Sequence, residues 1–575
     1  MDTKINRNNR WMPLIIAASV VAGIVIGTFF ANRYAGNRLN IINTSSNKLN
    51  DLLHIIDDQY VDTVDIANIV EQSMPKILQE LDPHSSYISA KDAKTANEDL
   101  KGSFCGVGIQ FVIREDTVRI TGIIHGGPSE KVGILPGDKI VSVDGKPYVG
   151  SIVTNEETMH RLKGDRDTKV KLGVMRHGRK KPLTFTVVRG DIPLKSIDAT
   201  YMINDKLGYV KIKNFGETTY AELLTSLAEL ETADFKGLVV DLRGNGGGYL
   251  SAAIQMVNEF LPENKLIVYT QGRRARREEY RSDGRGSYQK IPLIVLIDET
   301  TASAAEIFSG AIQDNDRGII VGRRSFGKGL VQQPIEFSDG SLIHLTIARY
   351  YTPSGRCIQK PYVKGQPKEY EMDLVDRYER GEFFNQDSIH QTGEKYHTSI
   401  GRTVYGGGGI MPDYFVAEDT TALTPYYTEC VTKGIVAQFC YEYTDNNRQA
   451  MSKCTNAAEL EKYLRKESVM DKFVRYADSK GILRRNNMIL RSQPLLEKSV
   501  YGSIIYNMLE MNDYVQYMNY KDKTVDKAVE LFNAKRTKPT INGKESTKKS
   551  DKTKKKSAYT GRTLRHESEN SFFCA

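Results

Sequence analysis

The sequence predicts a multidomain α/β protein with one long apolar segment near its N-terminus. At 575 residues the chain is too long for a single hydrophobic core, and two to four domains are expected. Stretches typical of strands and helices alternate over residues 191–415, which favours a layered α/β domain. Short strand-like runs separated by glycine turns fill residues 102–190, which predicts a smaller strand-rich module. The contents of 40% hydrophobic and 26% charged residues are those of an ordinary globular protein.

The first element is the charge-free run MPLIIAASVVAGIVIGTFFA, from Met12 to Ala31. Its length matches the roughly 20 residues that a helix needs to cross a bilayer. A secretory signal peptide would have a shorter apolar region and a small-x-small cleavage site, and the ends FFA and RYA fit such a site poorly. Basic residues precede the run, which favours a cytoplasmic location for residues 1–11. We therefore predict an uncleaved single-pass anchor over residues 12–31.

Changes of composition mark the remaining boundaries. Apolar residues at helix-like spacing predict helical regions over residues 40–100 and 416–535. Residues 536–575 are rich in lysine, as in KKSDKTKKK, and predict a solvated, disordered tail. Because that tail carries much of the net charge of +9, the charge does not indicate a nucleic-acid partner.

The six cysteines are scattered and form no C-x-x-C pair, so no metal site is predicted. In an exported protein Cys430, Cys440 and Cys454 could include a disulfide, but the sequence leaves the pairing open.

The stretch GRRSFGKGL, from Gly322 to Leu330, has the G-x-x-x-x-G-K pattern of a phosphate-binding loop. Gly329, however, stands where a Ser or Thr hydroxyl should bind magnesium. The following residues LVQQPIEF are typical of a strand, whereas a phosphate loop opens a helix whose N-terminus faces the anion. A nucleotide site is therefore disfavoured, and Lys328 needs another role.

A second candidate is Ser303 in PLIVLIDETTASAAEIFSGAI, where an apolar strand leads into a helix. The simpler interpretation is a capping box, with Ser303 as N-cap and Glu306 at the third helical position. A chemical role gains support from GLVVDLRGNGGGYL, whose glycines could turn backbone N–H groups toward an oxyanion. That loop is not a dinucleotide fingerprint, because Tyr249 replaces its third glycine. No histidine is in a comparable setting, so a Ser-His-Asp triad is not indicated.

Within the strand-rich module, GVGIQF followed by GGPSEKVGILPGDKIVSVDGKP resembles a PDZ domain. Such a domain receives an extended peptide as an added strand, and a glycine-containing loop offers N–H groups to the peptide's terminal carboxylate. The resemblance places that loop at Gly106, Val107, Gly108 and Ile109. The alternative is that these glycines only form hairpin turns of a small barrel.

Most of residues 50–415 resembles the C-terminal processing peptidases, the tail-specific serine proteases. The resemblance rests on LDPHSSYIS, DLRGNGGG, DETTASAAE, SFGKGLVQ, LTIARYYTPSGR and GGGGIMPD, which occur in the family's order. It implies a crotonase-like α/β peptidase core with an inserted-type PDZ module. It also implies Ser303 as nucleophile, Lys328 as general base and Gln332 as the residue that orients the lysine amine.

This chemistry requires a neutral lysine. An exposed amine with a pKa of about 10.4 would be protonated at pH 7, but burial lowers that pKa. We expect the N–H groups of Ala304 and of Gly246 and Gly247 to hold the oxyanion, and neither a metal nor an organic cofactor to take part. A straight strand would separate Lys328 from Gln332 by about 13 Å, so a turn or bulge is expected between them.

The sequence thus predicts a membrane-anchored serine endopeptidase that recognises C-terminal tails of exported or misfolded proteins. Its catalytic domain is expected in the bacterial periplasm, outside the inner membrane. Expected partners are unfolded proteins or proteins with exposed C-termini, with an adaptor and a homo-oligomer as open options, and no nucleic acid. The alternative is a catalytically inactive PDZ scaffold, which the intact Ser303, Lys328 and Gln332 disfavour.

Overall fold

The computed structural model describes residues 38–540, except residues 97, 125, 177 and 390–392, and also the backbone of residues 573–574. The predicted membrane anchor and most of the predicted basic tail lie outside these residues. Across the part that is described, no helix combines the length and the apolar character needed to span a membrane.

The chain divides into two compact units, the first ending at Leu78. The first unit contains α1 (Arg38–Gln59) and nearly all of α2 (Ile66–Gln79). The second unit opens with the short elements β1 (Ser86–Ile88), α3 (Ala90–Ala96) and α4 (Glu98–Lys101).

The strand-rich module contains the antiparallel sheet β3-β4-β5-β7-β8, with β6 paired to β5 and β22 to β3, and a separate β2-β9 pair. Its interior is apolar and includes the fully buried side chains of Val107 and Ile109. Two short helices lie between the strands of this module along the chain. The elements are β2 (Ser103–Gly106), β3 (Ile109–Arg114), β4 (Thr117–Ile123), α5 (Pro128–Lys131), β5 (Lys139–Val143), β6 (Lys146–Pro147), α6 (Asn155–Leu162), β7 (Lys169–Met175), β8 (Leu183–Val188), β9 (Gly190–Pro193) and β22 (Phe573–Cys574).

The larger domain is built on a six-stranded sheet in the order β10-β11-β12-β15-β16-β21. From β11 onward neighbouring strands are parallel, and β12 and β15 are buried along their whole length. Burial on both faces explains why their sequences, GLVVD and LIVLI, are apolar runs rather than alternating patterns. The strands are β10 (Ile197–Met202), β11 (Leu207–Ile212), β12 (Gly237–Asp241), β15 (Leu293–Ile297), β16 (Ile319–Gly322) and β21 (Tyr414–Phe415).

Helices cover both faces of this sheet. One face packs on α7 (Thr219–Thr232), α8 (Leu250–Asn258) and α9 (Ala304–Asp314). The other face packs on α16 (Met511–Asn519) and α17 (Lys523–Asn533), which belong to the C-terminal helical region. The mixed α/β class and the helical character of the C-terminal region are therefore confirmed.

A second sheet has the order β1-β18-β13-β14, with β17 paired to β18. Its strands are β13 (Leu266–Gln271), β14 (Glu278–Arg281), β17 (Leu330–Glu336) and β18 (Leu342–Tyr351). α10 (Pro367–Glu379), a 3-10 turn (Gln386–Ser388) and the pair β19 (Lys395–His397) and β20 (Thr403–Tyr405) follow.

The C-terminal region has a largely apolar helical core of its own. Among the residues described here, Cys430, Cys440 and Cys454 are all free, so no disulfide joins them. The helices are α11 (Pro425–Thr432), α12 (Ile435–Met451), α13 (Ala457–Lys466), α14 (Val469–Ser479), α15 (Asn486–Met508), α16 (Met511–Asn519) and α17 (Lys523–Asn533).

Candidate active site

Ser303 lies at the corner between β15 and α9, as the sequence predicts. It is the N-cap of α9 and has φ 56° and ψ −119°. A residue other than glycine rarely adopts this conformation, which costs on the order of 1–3 kcal/mol and is typically maintained at functional sites. The next residue, Ala304, is the first of the helix, so no carbonyl within the helix is available to its N–H.

The glycine loop after β12 lies directly against this corner. A Cβ placed on Gly247 would come within 2.6 Å of the Ser303 Cβ and 2.9 Å of the Ala304 nitrogen. The N–H of Gly247, however, donates to Asn245 Oδ1 at 2.8 Å. This hydrogen bond competes with a role of the Gly247 N–H as an oxyanion donor, and that role stays a prediction. The N–H groups of Ala304 and Gly246 are the other two candidate donors.

The buried carboxylate of Glu306 joins the serine corner to the lysine loop. It accepts the N–H of Ser303 at 2.9 Å, as in a capping box. It also accepts the N–H of Gly327 at 2.7 Å, the N–H of Lys328 at 2.9 Å and the hydroxyl of Ser325 at 2.5 Å. Burial raises the pKa of Glu306 to about 7, while these hydrogen bonds act in the opposite direction. Ser303 is therefore the N-cap of α9 and the candidate nucleophile at the same time.

A buried tyrosine joins the same two segments from the β18 side. The hydroxyl of Tyr350 lies 3.1 Å from the carbonyl oxygen of Ser303 and also contacts the carbonyl oxygen of Lys328. The N–H of Gly329 donates to Gln359 Oε1 at 2.8 Å. The backbone on both sides of Lys328 is thus held by hydrogen bonds.

The environment of the Lys328 amine favours its neutral form. Burial lowers the pKa of Lys328 below its ordinary value, whereas the negative charges of Glu306 and Asp82 act in the opposite direction. The lowered pKa makes the amine easier to deprotonate, and only a deprotonated amine can accept the proton of the serine hydroxyl.

Gln332 lies on β17, and the pairing of β17 with β18 shifts register between Val331 and Gln332. This irregularity is of the kind expected between Lys328 and Gln332. The side-chain amide of Gln332 donates through Nε2 to Thr346 Oγ1 at 3.3 Å.

Two residues of the LDPHSSYIS segment approach the lysine, and sequence reasoning did not single them out. Asp82 is buried and accepts the hydroxyl of Thr346 at 3.0 Å. His84 Nε2 lies 2.8 Å from the hydroxyl of Tyr370. Burial, followed by the positive charge of Lys328, lowers the pKa of His84 to about 4. His84 is therefore neutral at pH 7, and the expectation that no Ser-His-Asp triad is used stays a prediction.

The candidate peptide loop of the strand-rich module connects β2 to β3. Gly108 has φ +76°, which favours glycine. The side chains of Val107 and Ile109 point into the core, so only their backbone can face a ligand. The N–H and the hydroxyl of Ser129, in α5, donate to the carbonyl of Val107 at 3.0 and 2.6 Å.

Comparison with known proteins identifies the family of this chain. Residues 206–367 match the model of peptidase family S41, residues 106–187 match the PDZ domain, and residues 426–510 match a family of unknown function. A carboxy-terminal-processing protease of Bartonella bacilliformis is 36% identical over 318 residues, covering 54% of this chain and 72% of the relative. This chain belongs to the carboxy-terminal processing proteases of peptidase family S41.

Other processing proteases show similar agreement. Carboxy-terminal processing protease CtpA of Bacillus subtilis is 33% identical over 348 residues, covering 60% of this chain and 73% of the relative. Among solved structures, the photosystem II D1 C-terminal processing protease is 27% identical with a TM-score of 0.31, covering 54% of this chain and 89% of that one. The two family-model matches and the curated relatives show that the protein is a serine protease with a PDZ domain.

In this processing protease Asp241 and Arg243, beside the glycine loop, form a buried ion pair. Arg243 Nη2 lies 2.7 Å from Asp241 Oδ2, and the hydroxyl of Tyr209 donates to the same oxygen at 2.6 Å. Burial by itself raises the pKa of Asp241, but the charges of Arg243 and Lys211 hold it below its ordinary value. Arg243 also contacts Asp522 at 2.9 Å, which ties the loop to α17. These contacts agree with a structural role.

Proposed function

We propose that this processing protease is a membrane-anchored serine endopeptidase that cleaves proteins bound by their C-terminal tails, with Ser303, Lys328 and Gln332 as its catalytic residues. The observation that carries the proposal is the carboxylate of Glu306, which accepts the backbone N–H of both Ser303 and Lys328. This arrangement holds the nucleophile and the base in one rigid unit, as an acyl-transfer site requires.

The reaction follows from the protonation state of Lys328. The neutral amine takes the proton of the Ser303 hydroxyl while the serine oxygen attacks the substrate carbonyl carbon. The N–H groups of Ala304 and Gly246 stabilise the resulting oxyanion. The Lys328 ammonium then protonates the leaving amine, and the acyl-enzyme forms. Lys328 next removes a proton from water, whose oxygen attacks the ester carbonyl carbon. The Lys328 ammonium returns that proton to the Ser303 oxygen as the ester bond breaks, which regenerates both residues.

The PDZ domain is proposed to select the substrate. An extended peptide would take the place of β22 at the edge of β3, and the backbone of residues 106–109 would receive its terminal carboxylate. Because Val107 and Ile109 direct their side chains into the core, this recognition would depend on backbone groups rather than on side-chain identity.

The location is part of the same proposal. Residues 12–31 would anchor the chain in the inner membrane, and the catalytic domain would lie in the periplasm. Unfolded exported proteins would be the substrates. The measurement for this part is protease protection: in spheroplasts with an intact inner membrane, added trypsin should degrade the catalytic domain.

The decisive experiment measures cleavage by the full chain in detergent. The substrate is reduced, carboxymethylated α-lactalbumin extended at its C-terminus by Leu-Ala-Ala. Ser303→Ala and Lys328→Ala should each abolish cleavage, whereas the exposed-site controls Ser251→Ala and Lys236→Ala should cut like the parent. Cleavage that persists in both active-site variants would overturn the mechanism. Circular dichroism verifies that each variant is folded.

Binding is measured separately on the Ser303→Ala chain. A fluorescein-labelled peptide ending in Leu-Ala-Ala should bind, and the same peptide with an amidated C-terminus should bind at least tenfold more weakly, since it lacks the charged carboxylate. Equal binding of the two peptides would contradict terminal recognition while leaving the cleavage mechanism intact.

A further inference from the structure

A chain of side-chain hydrogen bonds leads away from Gln332 to a residue outside the predicted catalytic set. Gln332 Nε2 lies 3.3 Å from Thr346 Oγ1, and Thr346 Oγ1 lies 3.0 Å from Asp82 Oδ1. The three residues come from β17, from β18 and from the segment that precedes β1. Asp82 is 5% exposed, so the far end of the chain is shielded from solvent.

The direction of these hydrogen bonds follows from the chemistry of the groups. Within the described part of the chain, the other groups that bond Asp82 are donors, namely the N–H of His84 and the N–H and hydroxyl of Ser85. A carboxylate with such neighbours only accepts, so the hydroxyl of Thr346 must donate to it. That hydroxyl has a single hydrogen and is then available to Gln332 only as an acceptor.

The same reasoning fixes the orientation of the Gln332 amide. Only the NH2 end of an amide can donate, so this end faces Thr346 and the carbonyl oxygen Oε1 is directed elsewhere. A lysine amine that acts as a base donates N–H groups and accepts through its lone pair. Oε1 is therefore the only end of the Gln332 amide that can accept an N–H of such an amine.

We propose that Thr346 is a positioning residue for the proteolytic reaction: its hydroxyl, committed as a donor to Asp82, holds the Gln332 amide with Oε1 available to the amine of Lys328. This inference rests on the proposed Ser-Lys mechanism. An N–H of the amine bound to Oε1 leaves the lone pair free to face the hydroxyl of Ser303. Thr346 acts only through Gln332 and does not touch the substrate.

A purely structural role is the competing explanation. Ser85 Oγ accepts the N–H of Thr346 at 3.1 Å, so these contacts also join the segment before β1 to β18. A structural role predicts that loss of the Thr346 hydroxyl impairs folding, or that it lowers kcat by the same factor whether or not Gln332 is present. A positioning role predicts that the loss matters only while Gln332 is present.

The first test replaces the hydroxyl with a methyl group of similar size. Thr346→Val should lower kcat by about tenfold or more, because it removes a part-buried hydrogen bond that holds Gln332, with KM within about twofold of the parent. Thr346→Ser keeps the hydroxyl and should retain kcat within about threefold. If Thr346→Val lowers the thermal midpoint by more than about 5 °C, Thr346→Ala, which adds no atoms, takes its place.

The second test is a double-mutant cycle with Gln332→Met, measured by cleavage of the extended α-lactalbumin. Gln332→Met should lower kcat, and Thr346→Val in that background should cause no further loss, because the residue through which it acts is gone.

Three results would overturn the proposal: parental kcat in Thr346→Val, parental kcat in Gln332→Met, or losses that multiply in the double variant. None of these results bears on Ser303 as nucleophile or on Lys328 as base. The alanine variants of those two residues test the proposed function separately.

Discussion

The carboxylate of Glu306 accepts the backbone N–H of Lys328 at 2.9 Å. The same carboxylate accepts the N–H of Ser303. Glu306, the third residue of α9, therefore holds the backbone of both the nucleophile and the base. Four donors surround its two oxygens, and an ionised carboxylate has about four lone-pair sites to receive them. The helix cap is therefore also the central link of the active site.

Glu306→Gln should abolish most of the activity and destabilise the protein. The NH2 group of the amide would face N–H or O–H donors, and a buried unsatisfied polar group costs about 1–3 kcal/mol. We expect kcat/KM to fall at least about 100-fold, because the Lys328 loop moves. Kinetics and thermal unfolding check this result. The control Glu229→Gln, at an exposed site of α7, should change neither kcat/KM nor thermal stability. A fully active Glu306→Gln enzyme would show that Glu306 is not needed to hold the Lys328 loop.

The pH dependence of cleavage should reflect Lys328. Because burial lowers the pKa of this amine, kcat/KM should rise with pH and level off below 10.5. Glu306, Asp82, His84 and His344 are the titratable groups whose charges interact with the amine. Asp82→Asn removes a charge that raises the pKa of Lys328, so the rising limb should move to lower pH. If the rising limb of Asp82→Asn lies at the same pH as that of the parent, the charge of Asp82 does not affect the pKa of Lys328.

Lys328→Met should be inactive but more stable than the parent at pH 7. The pKa of Lys328 is lower in the folded state than in the unfolded state, so folding is penalised when pH falls below about 10.5 and the unfolded chain becomes protonated. Methionine removes that penalty. The difference in unfolding free energy between the two proteins should shrink as pH rises from 7 to 10. If the difference in unfolding free energy grows with pH, the pKa of Lys328 is not lower in the folded state than in the unfolded state.

Gly247→Ala should inactivate the enzyme, and Gly246→Ala should not. At Gly247 the φ is +102° and an added Cβ would come within 2.6 Å of the Ser303 Cβ, whereas at Gly246 nothing lies within 4 Å of that position. Both variants keep their backbone N–H groups. Cleavage of the extended α-lactalbumin distinguishes them, and equal activity of the two variants would argue against the close packing of the glycine loop on Ser303.

The sequence by itself determined the mixed α/β class, the membership of the family and the serine at a strand-to-helix corner. These features depend on local patterns, namely apolar runs, periodicity and residues that lie close together in the chain. Gly329 was sufficient to disfavour a nucleotide site, because the metal-binding hydroxyl has a fixed place in that motif.

Only the tertiary structure decided which groups meet. Asp82 and Thr346 are brought together by the packing of β18 against the segment before β1. The N–H of Gly247 donates to the side chain of Asn245, and the glycine-rich sequence of the loop does not reveal this hydrogen bond. Hydrogen-bond partners that lie far apart in the chain depend on strand register and on side-chain orientation. Those are set by the packing of the whole domain, so no local pattern specifies them.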